Sequence, residues 1–267
     1  MRALLGTFVE AGADGAAGPA LAAAFARIEQ AQALWSFQDP DSELSRLNRA
    51  EGAAVTVSPL TCRLLRAARA MTRASAGLFD CTVGGALVAA GALPDHGGAP
   101  SLPRGHADDI VIGHNWARLA RPLRITLDGI AKGFAIDLAL CAMRHAGAQA
   151  GWINAGGDVA VFGERALPMA RRGVDGKLEP LGGLRNAAMA SSRTGAPDPD
   201  FPARMVGREG DAIAPGVWTV LARSAWRADA LTKVAALAPS AERAERVRRL
   251  GGALIESSPL VQEEAFA

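Results

Sequence analysis

The most informative stretch of the chain is Leu123-Arg-Ile-Thr-Leu-Asp-Gly-Ile-Ala-Lys-Gly-Phe-Ala-Ile-Asp137. Residues 123–127 are typical of a strand, and the turn after them predicts a helix that begins near residue 130. A helix N-terminus attracts anions through its unpaired amides and dipole. With the cation Lys132 and the carboxylates Asp128 and Asp137 beside it, this corner suits a phosphate-bearing ligand or its metal. It could equally be a structural corner with a solvated lysine.

The segments around this corner predict a mixture of strands and helices. Strands are expected at 2–10, 110–112, 123–127, 151–155, 158–162, 187–191 and 217–222. Helices are expected from Gly18-Pro19, from the N-cap Ser58, at 130–146, at 229–237 and from Ser240. The strands at 110–112 and 123–127 should pair as a hairpin. Because these elements follow no βαβ rhythm, the pattern favours an α+β fold over a doubly wound sheet. No clean linker interrupts it, so we expect one domain over residues 1–267.

Composition limits the classes of function. A hydrophobic content of 49% and a charged content of 21% are those of an ordinary globular protein. The formal net charge of +2 gives no reason to expect a nucleic-acid partner. The three cysteines form no CxxC pair and the four histidines are scattered, so no zinc site is predicted. Without an export signal, lipobox or apolar spanning segment, we expect a cytoplasmic protein, or a periplasmic one if the start has been trimmed.

Four further segments are rich in small and polar residues. Residues 41–48 predict a short capped helix. Asp80 and Thr82, two apart, could face a ligand together or form an Asx-turn. The glycine pair within 154–158 allows close backbone approach to a ligand or serves a plain turn. Residues 228–233, if helical, place a carboxylate and a hydroxyl on one face, which suits Mg²⁺ or an ordinary first helical turn.

Taken in order, these segments resemble the ApbE-type FAD:protein FMN transferases. The matching segments are Leu5–Thr7, Ser42–Asn48, Gly77–Gly84, Leu127–Asp137, Ile153–Asp158, Met189–Ser192 and Ala228–Thr232. They span about residues 3–238. Each match is weak alone, but the ordered set is specific.

The resemblance implies a two-lobed α+β domain of the ApbE or T-fold-like type, with mostly antiparallel sheets and packed helices. It implies an enzyme that binds FAD with Mg²⁺ and transfers the FMN moiety to a threonine or serine hydroxyl of an acceptor protein, releasing AMP. Since this is substitution at phosphorus, positioning and charge neutralisation should carry most of the catalysis.

The family pattern also implies roles for single residues. The Gly129 carbonyl, Asp229 and Thr232 would hold Mg²⁺ on the pyrophosphate, and Lys132 would lie near the phosphates or order the metal loop. Asp229, Thr232 and Lys132 would thus be the catalytic set. The residues implied to line the FAD cleft are Asp80, Thr82, Lys132, Asp137, Asn154, Gly156, Gly157, Asp158 and Ser191.

The chain departs from the family pattern in three ways. Family members commonly have Asp-Ala-Leu, a small residue and then threonine, whereas here Thr232 comes one position early and Lys233 follows. Either Thr232 still serves the metal or Lys233 puts an ammonium where the cation would lie. The stretch 203–208 lacks the histidine and aspartate of a family segment, and with them a proton acceptor for the attacking hydroxyl. The chain has no tyrosine, so an aromatic flavin contact must come from Phe or Trp.

Two alternatives to FMN transfer stay open at this point. A flavin-binding accessory protein would keep the cleft but not the transfer reaction. An FAD pyrophosphatase would produce FMN and AMP and would need no acceptor protein.

Overall fold

The computed structural model describes residues 1–173, 176–195, 205–207, 213 and 215–255 of the chain. The strands in this part of the chain are β1 (Arg2–Leu4), β2 (Thr7–Gly15), β3 (Val55–Thr56), β4 (Ile110–Ile112), β5 (Trp116–Leu119), β6 (Ala148–Ala155), β7 (Asp158–Phe162), β8 (Leu167–Arg172), β9 (Leu178–Leu184), β10 (Ala187–Thr194), β11 (Gly216–Ala222) and β12 (Gly252–Ile255). The α-helices are α1 (Ala17–Trp35), α2 (Glu43–Asn48), α3 (Pro59–Ala74), α4 (Gly84–Ala89), α5 (Ala131–His145), α6 (Ala225–Leu237) and α7 (Arg243–Arg249).

A seven-stranded sheet forms the centre of the fold. Its strand order is β1-β2-β6-β7-β10-β11-β12, and each neighbouring pair is antiparallel. Smaller antiparallel sheets are formed by β3, β5 and β4 and by β8 and β9. The α+β class with mostly antiparallel sheets is therefore confirmed. Of the helices that the structure describes, none is long and apolar enough to cross a lipid bilayer.

Two long helices cover the sheet and place the candidate site. α1 and α5 pack against each other, and α5 also packs on β6 and α6. Ile28 of α1, Ile136 and Met143 of α5 and Ile153 of β6 are fully buried in their common core. Each such side chain stabilises the fold by about 1.5–3 kcal/mol. Because α6 packs on β10 and β11 as well as on α5, the first turns of α5 and α6 lie beside neighbouring strands of the sheet.

The predicted hairpin of residues 110–112 and 123–127 is wrong. β4 pairs with β5, and residues 123–127, which were predicted to be a strand, form none. The side chain of Asn48 takes the place of a partner strand: its Nδ2 donates to the Ile125 carbonyl and its Oδ1 accepts from the Ile125 amide, both at 2.8 Å. A side-chain amide carries both a donor and an acceptor, so it can satisfy a backbone residue as a strand would.

Other boundaries differ in detail from the predictions. The first strand is two strands, β1 and β2, joined by a two-residue turn. α6 begins at Ala225, earlier than expected, and Ser240 opens a short 3-10 turn ahead of α7. The predicted caps at Ser42 and Ser58 are confirmed, since each hydroxyl accepts the amide three residues on, at 3.0 and 3.2 Å.

Candidate active site

The predicted corner is present at the start of α5, but the residues that lead into it, 123–127, do not form the predicted strand. The Leu127 carbonyl accepts the amides of Ile130 (2.9 Å) and Ala131 (2.7 Å), which closes the turn and begins the helix. No side chain of the corner itself caps α5. Instead the Gly133 amide donates to Asp229 Oδ2 of α6 at 3.2 Å. The N-terminal turn of α5 thus obtains its acceptor from a carboxylate 96 residues away.

Lys132, in this first turn, pairs with Asp158 at the start of β7. Its Nζ lies 3.1 Å from Asp158 Oδ2, and Asp158 Oδ1 accepts the Ser191 amide at 3.3 Å. Asp158 is 2% exposed, and its Oδ2 makes no hydrogen bond of good geometry within the described structure. Burial raises the pKa of Asp158, while the charge of Lys132 opposes that rise. Burial favours neutral Lys132, but the carboxylates of Asp158 and Asp229 outweigh it and raise the pKa of Lys132.

A second lysine–aspartate pair lies on α6. Lys233 Nζ is 2.5 Å from Asp229 Oδ1 and 3.1 Å from the Asp229 carbonyl, the spacing being one helical turn. Asp229 is 1% exposed, so this pair is largely shielded from solvent. The Thr232 hydroxyl donates to the same carbonyl at 2.7 Å and meets Ser192 Oγ at 2.7 Å. Both carboxylate oxygens of Asp229 and the hydroxyl of Thr232 are therefore engaged.

The two pairs form one charged cluster with Asp128 at its exposed edge. Asp158 interacts electrostatically with Lys132, Asp229 and Lys233, and Asp128 with Asp229 and Lys233. Three carboxylates and two ammonium groups give the cluster a formal charge of −1. Among the residues that the structure describes, no three His, Cys, Asp or Glu side chains are grouped as metal ligands.

Gly129 packs against the aliphatic stem of Lys233. A Cβ at this position would lie 3.3 Å from Lys233 Cε and 3.3 Å from the ring of Phe79. Such contacts are tight, so a side chain here would make the lysine stem or the Phe79 ring give way by a few tenths of an ångström. Because Gly129 has no side chain, the aliphatic stem of Lys233 can pack directly beside it.

The turn between β6 and β7 borders Asp158. Asn154 Oδ1 accepts the Gly157 amide at 2.9 Å, and Gly156 and Gly157 have φ of +61° and +95°. These left-handed conformations favour glycine, so the pair forms a tight two-residue turn. A Cβ on Gly156 would lie 2.5 Å from Thr7 Oγ1, which places the Thr7 hydroxyl beside this turn.

Asp80 and Thr82 form an Asx-turn. Asp80 Oδ1 accepts the Thr82 amide (2.8 Å) and hydroxyl (2.7 Å), while Thr82 Oγ1 accepts the Gly105 amide at 3.1 Å. Arg104 Nε lies 3.3 Å from Asp80 Oδ2, and its Nη2 donates to the Gly207 carbonyl at 2.7 Å. Sequence reasoning missed Arg104, which lies in a Pro- and Gly-rich loop. The one signal in the sequence that could have indicated Arg104 was its position as a charged residue in a long loop without regular secondary structure.

Asp137 caps the N-terminus of α6. Its two oxygens accept the amides of Ala225 (2.9 Å) and Trp226 (3.0 Å). Burial raises the pKa of Asp137 to about 6, although both amides oppose the rise. The contacts described for Asp137 are structural, and a contact with FAD stays a prediction.

The structure thus sorts the predicted residues into groups. It brings together Gly129, Lys132, Asp158, Ser191, Asp229 and Thr232. Asn154, Gly156 and Gly157 lie at the adjoining turn. Asp80 and Thr82 form their own group with Arg104. Half of the stretch 203–208 lies outside the described residues, which include 205–207 of it.

Comparison with known proteins agrees with this architecture. The ApbE family model matches residues 5–189. An FAD:protein FMN transferase of Rhodobacter capsulatus is 32% identical over 163 residues, 54% of this chain, and the match spans only 30% of that relative's own length.

Two solved structures share the fold over nearly the whole chain. The ApbE protein of Thermotoga maritima has a TM-score of 0.74 at 22% identity, covering 94% of this chain and 91% of its own. The Pseudomonas stutzeri flavinyl transferase ApbE, in its apo form, has a TM-score of 0.72 at 18% identity, covering 95% and 92%. With the family model matching more than half of its length, the chain belongs to the ApbE family.

Proposed function

We propose that this protein transfers the FMN moiety of FAD to a threonine or serine hydroxyl of an acceptor protein. The hydroxyl oxygen bonds to the phosphorus of the FMN half, and the bond from that phosphorus to the bridging pyrophosphate oxygen breaks. AMP leaves with the bridging oxygen, and the hydroxyl proton passes to a base or to solvent. The acceptor protein is thus the expected partner.

The observation that carries this proposal is the pair of ammonium groups beside the N-terminus of α5. A diphosphate needs its negative charge neutralised as the phosphorus–oxygen bond breaks. Lys132 suits this task because the neighbouring carboxylates raise its pKa and keep it charged at neutral pH. Its side chain keeps 28% of its surface exposed, so it can meet a ligand while Asp158 holds it in place.

The glycine turn between β6 and β7 supports the same proposal. It lies next to Asp158, and no side chain projects from Gly156 or Gly157. A phosphate or a flavin could therefore approach the backbone of this turn closely, while its two glycine amides stay bonded to the Phe8 carbonyl and to Asn154 Oδ1.

The expected Mg²⁺ site does not fit the donors that are present. A magnesium ion takes oxygen ligands in near-octahedral geometry. Asp229 gives one oxygen to the Gly133 amide and the other to Lys233, and the Thr232 hydroxyl is bonded to the Asp229 carbonyl and Ser192. A cation on Asp229 Oδ1 would lie against the ammonium of Lys233. We therefore assign Mg²⁺ no step in the reaction.

The experiment is an incubation of the purified protein with FAD and a flavin-free candidate acceptor protein, analysed by mass spectrometry. FMN transfer predicts an acceptor whose mass rises by one FMN moiety, with one AMP released per flavin attached. The control acceptor has its target threonine replaced by alanine. Free FMN and AMP without labelled acceptor would support the pyrophosphatase alternative, and bound but intact FAD the accessory protein. A protein that binds no FAD would contradict the proposal.

A further inference from the structure

The ammonium of Lys233 occupies the place beside Asp229 that a metal ion would need. It contacts Asp229 Oδ1 at 2.5 Å and the Asp229 carbonyl at 3.1 Å, while Asp229 Oδ2 accepts the Gly133 amide. A cation coordinated by this carboxylate would have to displace it. The lysine is thus already the counter-charge of Asp229.

Three features hold the ammonium in this position. Gly129 leaves room for its stem, which passes 3.3 Å from where a Cβ would stand. The side chain is 21% exposed, so most of its length is packed against protein. Asp229 is itself anchored by the Gly133 amide at 3.2 Å. A long side chain held at both ends loses little further freedom when a ligand arrives.

The charges around Asp229 also argue against a divalent ion at this carboxylate. Asp128, Asp158 and Asp229 face two ammonium groups, those of Lys132 and Lys233. Their formal sum is −1, and the diphosphate of FAD brings further negative charge, but a divalent cation at Asp229 would lie against the ammonium of Lys233, which repels it. The fixed ammonium of Lys233 already provides the positive charge beside Asp229, so no free ion is needed there.

Lys233 still has a donor for a ligand. An ammonium group carries three N–H bonds, and Asp229 uses two of them. The third is free of any bond that the structure describes, and the lysine's exposed portion allows a ligand to reach it. A phosphate oxygen is the acceptor that best suits a charged donor of this kind.

We propose that Lys233 is a built-in cation that takes the place of a divalent metal, so that this protein binds the diphosphate of FAD without Mg²⁺. This rests on the proposed function, since it concerns how the same cleft holds its substrate. In this proposal Lys233 binds the pyrophosphate, and Asp229 holds the ammonium of the lysine in position.

The first test needs only the unmodified protein. FAD binding is followed by the change in flavin fluorescence, once in EDTA and once in excess MgCl₂. The proposal predicts dissociation constants that agree within about threefold, a difference of well under 1.4 kcal/mol. Binding that appears only with MgCl₂ would overturn this inference and leave the proposed function standing. Absence of binding in both buffers would overturn both.

The second test exchanges the ammonium for a small hydroxyl. Lys233→Ser should weaken FAD binding in EDTA by about 10- to 100-fold, the loss expected for a charged hydrogen bond. MgCl₂ should then restore binding, because Asp229 Oδ1 is free to take a metal. The control is Arg246→Ser, which removes a similar i,i+4 ion pair with Glu242 from the surface of α7 and should change neither value.

Metal binding is read directly with Mn²⁺ and FAD by electron paramagnetic resonance. The unmodified protein should leave the signal of free Mn²⁺ unchanged, whereas Lys233→Ser should reduce it. Capture of Mn²⁺ by the unmodified protein at Asp229, abolished by Asp229→Asn, would overturn the proposal even if Lys233→Ser failed to fold.

Discussion

The two lysine–aspartate pairs of the cleft are built in different ways. Lys233 and Asp229 are one turn apart on α6 and meet at 2.5 Å. Lys132 and Asp158 belong to α5 and β7, meet at 3.1 Å, and leave Asp158 Oδ2 without a well-formed hydrogen bond. The first pair is closed by its own helix and by the Gly133 amide. The second is held by the packing of a helix on a sheet and by the Ser191 amide, and its Asp158 Oδ2 is the carboxylate oxygen of the two pairs that lacks a well-formed hydrogen bond within the described structure.

This difference separates the tasks of the two aspartates. Asp229 joins three things: the N-terminal turn of α5, the lysine on α6 and, through its carbonyl, Thr232. Asp158 mainly holds Lys132 and the Ser191 amide. We therefore expect Asp229 to matter most for stability and Lys132 to matter most for the charge that a ligand meets.

The largest expected effect is that of Asp229→Ala. It removes the acceptor of the Gly133 amide and the buried partner of Lys233, so the free energy of unfolding should fall by about 3 kcal/mol. Urea denaturation measures the change. Glu164→Ala serves as control, since that carboxylate is 96% exposed and 3.6 Å from Arg185, and it should have no measurable effect. Equal effects of the two substitutions would contradict the central position given to Asp229.

The next effect is that of Lys132→Met, which leaves Asp158 buried without its cation. The free energy of unfolding should fall by about 2 kcal/mol at pH 8. The loss should shrink towards pH 5, because a carboxyl whose folded pKa is raised stabilises the fold only at low pH, where it carries its proton. Urea denaturation at both pH values, with Arg246→Met as a surface control, measures this. If the free energy of unfolding fell as much at pH 5 as at pH 8, the charge of Asp158 would not be what makes Lys132 stabilising.

Asp137 tests a third arrangement, a carboxyl held by helix amides with no lysine beside it. Its folded pKa of about 6 lies above its unfolded value of 3.8. The stability that it contributes is therefore complete below about pH 4 and is lost as the pH rises through about 6. Relative to Asp137→Asn, the protein should lose about 1.5 kcal/mol across this window, the shift being reduced for partial exposure to solvent.

Urea denaturation in steps of pH from about 4 to about 7 measures the Asp137 effect. The Asn variant keeps one of the two oxygen acceptors and loses the other at every pH, so the pH-dependent part of the difference reports the titration of Asp137. If the protein instead gained stability over Asp137→Asn as the pH rose, the two amides would outweigh burial and the sign of the pKa shift would be wrong.

The smallest effects concern two neighbouring serines of β10 that support the two pairs. Ser192→Ala removes the hydroxyl contact to Thr232, and Ser191→Ala removes the hydroxyl contact to Thr219 while leaving its amide on Asp158. Each should lower the free energy of unfolding by about 1 kcal/mol. In the Lys233→Ser background with MgCl₂, Ser192→Ala should change FAD affinity more than Ser191→Ala, since only Ser192 contacts Thr232 beside Asp229. Equal changes in affinity would contradict this division.

Much of the local structure was predictable because the signals are local. The end of a strand-like run, a glycine and a helical pattern place the start of α5 within one residue. The caps at Ser42 and Ser58 and the glycine turn before Asp158 follow from the conformational preferences of those residues. For Asp80 and Thr82 both alternatives were open, and the Asx-turn was the one formed.

The failures have a common physical cause. Residues 123–127 have the composition of a strand, but the side chain of Asn48, 77 residues away, satisfies Ile125 instead. The role of Asp137 in the cleft stays a prediction, but its contacts with the amides of α6 were not foreseen, because they arise from the packing of two helices. Neither contact leaves a pattern in the nearby sequence.

The sequence by itself determined the α+β class, the order of the family segments, the corner at Lys132 and the one-turn spacing of Asp229 and Lys233. These depend on periodicity and on short-range stereochemistry. Only the tertiary structure decided that the ammonium of Lys233 lies on Asp229 and that Asp158 faces Lys132. The direction of a long flexible side chain depends on what packs around it, here Gly129, Phe79 and the first turn of α5.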